Sequence, residues 1–201
     1  NNTLVLRPDM TPAVARCVAK YFMDDPMPLR LCYLERTFKN NSSYQGRLKE
    51  RAESGAELIG DDCADADAEV IAMVIDSLKA AGLKDFQVEL GHVAFYRSLA
   101  AEAGLAEETE EELNRLIENK NYFGAEELLR SLDIREDLRQ AFLALPELFG
   151  PMEQIQRAAD LTGNPKALEA VRRLEAVHRI LADRGLERFV SYDLGMLSRY
   201  Q

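Results

Sequence analysis

The stretch LCYLERTFKNNSSYQGRLKERAESGAELIG, Leu31 to Gly60, sets the tightest limits on what this chain can fold into. A β-prone run from Leu31 to Phe38 gives way to Lys39-Asn40-Asn41-Ser42-Ser43-Tyr44-Gln45-Gly46, which is all turn chemistry. A second strand candidate follows, Leu48 to Ile59, so the stretch reads as a long hairpin. Strand side chains alternate between faces with a period of two. Arg47, Lys49, Arg51, Glu53 and Glu57 therefore share a face with Gly55, while Leu48, Ala52, Ala56 and Leu58 share the other. The charged face reads either as the solvated side of an antiparallel sheet or as the floor of a polar ligand site.

Composition narrows the class. A length of 201 residues suits one substantial domain with a core, or a core plus a helical appendage. A formal net charge of −10 argues against a broad nucleic-acid footprint, which needs a basic face. Cys17, Cys32 and Cys63 are widely spaced and form no CxxC pair, a pattern expected of reduced cytoplasmic thiols rather than a disulfide framework or a zinc site. Two distant histidines make no His-rich metal site. No apolar run approaches the roughly 18 to 20 residues of a membrane span, and no signal peptide is visible. The chain opens at Asn1-Asn2-Thr3 without an initiator methionine and closes at Arg199-Tyr200-Gln201 within a motif, so it reads as a fragment.

In chain order, Thr3–Leu6 is a strand candidate and Thr11 an N-cap with Pro12 at the first helical position. Val14, Cys17, Val18, Tyr21 and Phe22 mark that helix's stripe. Asp9, just ahead of it, reads as part of the turn and cap or as a carboxylate at a site mouth. From Asp65 a second helix carries the stripe Val70, Met73, Val74 and Leu78 and ends at Gly82. Phe86–Leu90 is a strand; His92 follows and reads as structural, with a pocket-facing role as the alternative. From about Val93 to Asp183 the chain is helix-forming, and Glu107–Glu112 reads as the solvated first turn of one helix. Leu168, Val171, Leu174, His178 and Leu181 form the last helical stripe, with His178 read as structural. Arg188–Tyr192 returns to a strand.

Three separated motifs then align. LRPDMTP (Leu6 to Pro12), FKNNSSYQGRLKERAESGAELIG (Phe38 to Gly60) and YDLGMLSRYQ (Tyr192 to Gln201) resemble the histidyl-tRNA synthetase-like class II catalytic core. They resemble more closely its paralogous family, the regulatory subunits of ATP phosphoribosyltransferase. The resemblance implies an α/β (α+β) fold: a mixed, mostly antiparallel sheet flanked by helices. Residues 1–201 would form a single truncated core domain, with a helical insertion at about 93–183.

The same resemblance places the site residues. Lys39 stands where a synthetase uses an arginine to grip the ATP α-phosphate and the amino acid carboxylate, and lysine lacks the planar two-donor fork. Glu53 stands at a glutamine position, Asp9 at a glutamate that binds the substrate amine, and Ser198 at the catalytic arginine; Thr11, Arg47 and Glu57 keep the synthetase residue type. The expected histidine-like ligand pocket is Asp9, Thr11, Lys39, Arg47, Glu53 and Glu57, with no catalytic residue, metal or cofactor. With the charge-stabilising arginines softened or lost, the resemblance implies a cytoplasmic, non-catalytic regulatory subunit acting in the first step of histidine biosynthesis. Its expected partner is the short-form catalytic subunit, with self-association, histidine as effector, and neither tRNA nor membrane. The alternative is a fragment of an active histidyl-tRNA synthetase binding histidine and ATP.

Overall fold

A computed structural model describes residues 5–40, 46 and 48–196. The chain divides into two compact units, Asn1–Ala66 and Asp67–Gln201.

The first unit contains helix α1 (Thr11–Tyr21) and two strands, β1 (Leu29–Phe38) and β2 (Glu50–Ile59). The strands pair antiparallel without a slip, from Leu29 opposite Ile59 to Phe38 opposite Glu50. One more bond, Lys39 N–H to the Lys49 carbonyl at 2.8 Å, carries the ladder past their ends. β1 thus starts two residues earlier than the sequence pattern suggests, and Leu48 lies outside β2. Val5 and Leu6 are in no strand and are 81% and 69% exposed; Thr3 and Leu4 lie outside the described residues. Thr11 is not the N-cap of α1. Met10 occupies that position without a side-chain bond, and the Thr11 N–H donates instead to Asp9 Oδ1 at 2.9 Å. Of the α1 stripe Val18 is buried, whereas Cys17 and Tyr21 are exposed.

Helix α2 (Ala64–Ala80) ends with Gly82 in the left-handed region, φ +95°, as the terminal glycine predicts. Its buried positions differ from expectation. Ala68, Ala72 and Ile75 are buried, while Met73 and Val74 are exposed. Two alanines and Ile75 face inward, about two-fifths of a turn from the predicted stripe.

The second unit holds β3 (Val88–Leu90), α3 (Val93–Glu102), α4 (Glu107–Glu118), α5 (Tyr122–Ser131), α6 (Glu136–Ala144), β4 (Phe149–Gly150), α7 (Met152–Arg157), α8 (Pro165–Asp183) and β5 (Val190–Asp193). β5 is central, parallel to β3 and antiparallel to β4. Both strand directions are therefore present, and among the described residues antiparallel pairs outnumber the parallel one, within a mixed α/β fold. A parallel pair needs a crossover connection, and α3 to α8 supply it. Phe95 and Leu99 of α3, Leu113 of α4, Leu129 of α5, Phe142 of α6, Ile155 of α7 and Leu181 of α8 are fully buried. Asn164 caps α8, its Oδ1 accepting from Lys166 and Ala167 N–H at 3.0 and 3.3 Å. Among the described residues no helix is long and apolar enough to cross a membrane.

Candidate functional site

Cross-strand partners project to one face, so the register of the hairpin composes its surface. Leu31 faces Glu57, Tyr33 faces Gly55, Glu35 faces Glu53 and Thr37 faces Arg51. Glu35 and Glu53 would repel across the ladder. Arg7 relieves this by pairing with Glu35 while its Nε donates to the Arg36 carbonyl at 2.7 Å. The Phe38 N–H in turn donates to the Arg7 carbonyl at 2.9 Å, tying the segment before α1 along β1. Residues 7 to 11 thereby arrive at the charged face.

Tyr33 is at its centre. A Cβ placed on Gly55 would lie 2.3 Å from the Tyr33 hydroxyl and 2.4 Å from its Cζ, so the glycine leaves the space that the phenol occupies. The hydroxyl lies 3.5 Å from Glu53 Oε1, to which it donates. Thr11 Oγ1 donates to Glu57 Oε1 at 2.8 Å, and Asp9 holds the Thr11 amide. Partial burial, then the negative charges of Glu53, Glu57 and Asp9, push the Tyr33 phenol above its ordinary pKa, and a hydrogen bond with Thr11 opposes them. The carboxylates of Glu53, Glu57 and Asp9 thus all act on the charge of the Tyr33 phenol, with the Thr11 hydroxyl bonded to Glu57.

Of the sequence-predicted residues, Asp9, Thr11, Glu53 and Glu57 are brought together around Tyr33. Lys39 is not: it follows the end of β1 with its side chain exposed, six residues beyond Tyr33 or about 20 Å along the strand. Arg47 and Ser198 lie outside the described residues. Tyr33 is the member that sequence reasoning missed, and the glycine within the charged face of β2 was its signal.

This arrangement is suited to a cationic group. Carboxylates accept charge-assisted hydrogen bonds from an ammonium, and a phenol face or hydroxyl adds to the attraction. Among the described residues no three His, Cys, Asp or Glu side chains are placed to hold a metal ion.

In the second unit both histidines have structural work. His92 caps α3, its Nδ1 accepting from the Ala94 N–H at 3.3 Å. Burial and then the charge of Arg173 lower its pKa. His92 also borders an open, mainly apolar groove of about 450 Å³ with Val70, Ile71, Leu90, Val93 and Leu174. His178 Nδ1 lies 2.9 Å from the hydroxyl of Tyr192, whose phenol burial pushes up to about 12. Gly91 is kept small by the Asp193 carbonyl, 2.7 Å from where its Cβ would be, and Asp193 Oδ1 accepts the Gly195 N–H at 2.7 Å.

Comparison with known proteins gives a consistent family. The model of the histidyl-tRNA synthetase family matches residues 1–201. An ATP phosphoribosyltransferase regulatory subunit of Acetivibrio thermocellus is 42% identical over 194 residues, covering 96% of this chain and 46% of that protein. The crystal structure of an ATP phosphoribosyltransferase regulatory subunit/histidyl-tRNA synthetase from Bacillus halodurans C superposes with a TM-score of 0.87 at 36% identity, over 97% of this chain and 50% of that one. A subunit of an ATP phosphoribosyl transferase complex from Thermotoga maritima shares the fold at 18% identity, with a TM-score of 0.73 over 96% of this chain and 66% of that one. The chain spans about half the length of the curated relatives it matches.

Proposed function

Because the chain belongs to the histidyl-tRNA synthetase family, we propose that it serves as part of a non-catalytic regulatory subunit of ATP phosphoribosyltransferase, using an inherited amino-acid pocket to sense histidine. The observation that carries this reading is the convergence of Asp9, Thr11, Glu53 and Glu57 on Tyr33, an acidic cradle matched to an α-ammonium group. The names of relatives at 37–42% identity support the assignment to regulatory subunits.

Adenylate formation develops charge on phosphate oxygens, and stabilising it takes preorganised cations. Lys39 is a point charge at the hairpin end, without the fork of an arginine. The site therefore favours binding over chemistry. In this reading the protein is cytoplasmic, self-associates, leaves tRNA alone and activates a short catalytic subunit that carries the phosphoribosyl transfer. Histidine shifts the complex toward an inhibited arrangement by binding the two arrangements with different affinity.

A paired assay tests it. The protein is added to an inactive short catalytic subunit with ATP and phosphoribosyl pyrophosphate, and separately to histidine, ATP and tRNA. Activation that histidine reverses is expected from the first mixture; tRNA charging without activation would overturn the proposal. Asp9→Ala is expected to weaken the histidine response about tenfold, since it removes a charged hydrogen-bond acceptor. Unchanged feedback in that variant would move the sensor elsewhere.

A further inference from the structure

We infer that Tyr33 and Gly55 act as a specificity-determining pair, the glycine admitting the phenol so that its hydroxyl orients Glu53 and Thr11 toward a ligand's ammonium group. The inference rests on the amine-pocket reading and deepens it by naming what makes the pocket select an amine. Neither residue is among the six pocket positions that the resemblance supplies.

Tyr33 and Gly55 are direct cross-strand partners, so the ribbon itself fixes their meeting. The hydroxyl end of the ring stands where any Gly55 side chain would have to go, 2.3 Å from the Cβ position, so even alanine must displace it. Gly55 has no left-handed backbone to explain the residue; the space above it does. Along β2, Glu53 and Glu57 flank Gly55 by two residues on the same face. The phenol between them donates to Glu53 at 3.5 Å, and Thr11 donates to Glu57 at 2.8 Å. Without the hydroxyl, Glu53 would be free to turn toward solvent. Without the glycine, the ring itself would leave the face.

The test measures amine discrimination by titration calorimetry with three probes: histidine, histamine, which keeps the amine and lacks the carboxylate, and imidazolepropionate, which lacks the amine. The unaltered protein is expected to bind histidine and histamine in preference to imidazolepropionate. Tyr33→Phe keeps the ring and loses the donor; the preference should fall about fivefold, the worth of one hydrogen bond. Gly55→Ala should erase more, about 50-fold, because both the hydroxyl and the ring are displaced. Imidazolepropionate affinity should barely change, which a general loss of structure would not reproduce. If Gly55→Ala fails to fold, as thermal unfolding would reveal, Tyr33→Phe alone decides. Wild-type discrimination in the folded variants overturns the inference and leaves the amine pocket standing. Failure of the unaltered protein to bind either amine probe overturns both.

Discussion

The two units of this chain are held in different ways. In residues 67–196 the order comes from apolar side chains: Phe95, Leu99, Leu113, Phe142, Ile155 and Leu181 are sealed from solvent. In the first unit only Met10, Val18, Thr37 and Ala66 are buried among the described residues. Leu34 and Leu48, on and beside the ribbon, are 74% and 77% exposed. There the ladder from Leu29–Ile59 to Phe38–Glu50 and a web of polar side chains fix the geometry. A two-stranded ribbon is marginal alone, yet this is where the candidate site lies. The difference teaches that the ribbon is ordered by its ladder and its polar side chains, and the helical unit by apolar packing.

The largest effect should come from attacking the packed side. Phe142→Ala removes a ring that is 1% exposed and stacks edge-on against Tyr96 with centroids 5.7 Å apart. A loss of about 3–5 kcal/mol is expected, read from urea unfolding of the chain. Leu34→Ala on the ribbon should stay within about 0.5 kcal/mol, as exposed substitutions do. Comparable losses from the two would break the comparison.

What was legible in the sequence follows the same divide. The hairpin could be read because turn residues and a period of two leave few alternatives, and four of the six pocket candidates do meet. Tyr33 stayed hidden because its role depends on the register, which places it opposite Gly55, and on a glycine whose importance is the space above it. Lys39 stands apart because its alignment with a synthetase arginine says nothing of its distance along the strand from Tyr33. The α2 stripe was misplaced because hydrophobicity ranks Val74 and Met73 above alanine, whereas the buried side of the helix is Ala68, Ala72 and Ile75. Thr11 followed the N-cap preference in sequence, but Glu57, far along the chain, supplied a better use for its hydroxyl.

A smaller effect sharpens the comparison through pH. His92 caps α3 with a neutral Nδ1 acceptor, and burial lowers its pKa below the ordinary value of about 6.5. The unfolded chain then takes up a proton more readily than the folded one. Its contribution is fully present above the unfolded pKa and is lost as pH falls below about 6.5 toward the folded value. The groups named around it agree: Arg173 opposes protonation, while Asp67 and Glu169 favour it less strongly. His92→Asn keeps a capping oxygen and removes the titration. Denaturant midpoints measured from pH 7.5 to 5 should fall less steeply in the variant than in the parent. Equal slopes would show that the cap does not titrate with folding.

The smallest effect belongs to the ribbon. Arg7 and Glu35 form an ion pair whose side chains are 42% and 47% exposed, and such pairs contribute about 0.2–1 kcal/mol at most. Arg7→Ala also gives up the bond to the Arg36 carbonyl, but water can replace it at an exposed position. The stability change should therefore be slight and should shrink further in about 1 M salt, where the screening length is near 3 Å. Affinity should respond differently. Releasing Glu35 restores its repulsion with Glu53 across the ladder, and the repelled Glu53 would turn from Tyr33. A variant with near-parent unfolding but weakened histidine binding would show that the polar web tunes the site more than it holds the fold. A loss of stability as large as that of Phe142→Ala would mean instead that the ribbon depends on this web as heavily as the helices depend on their core.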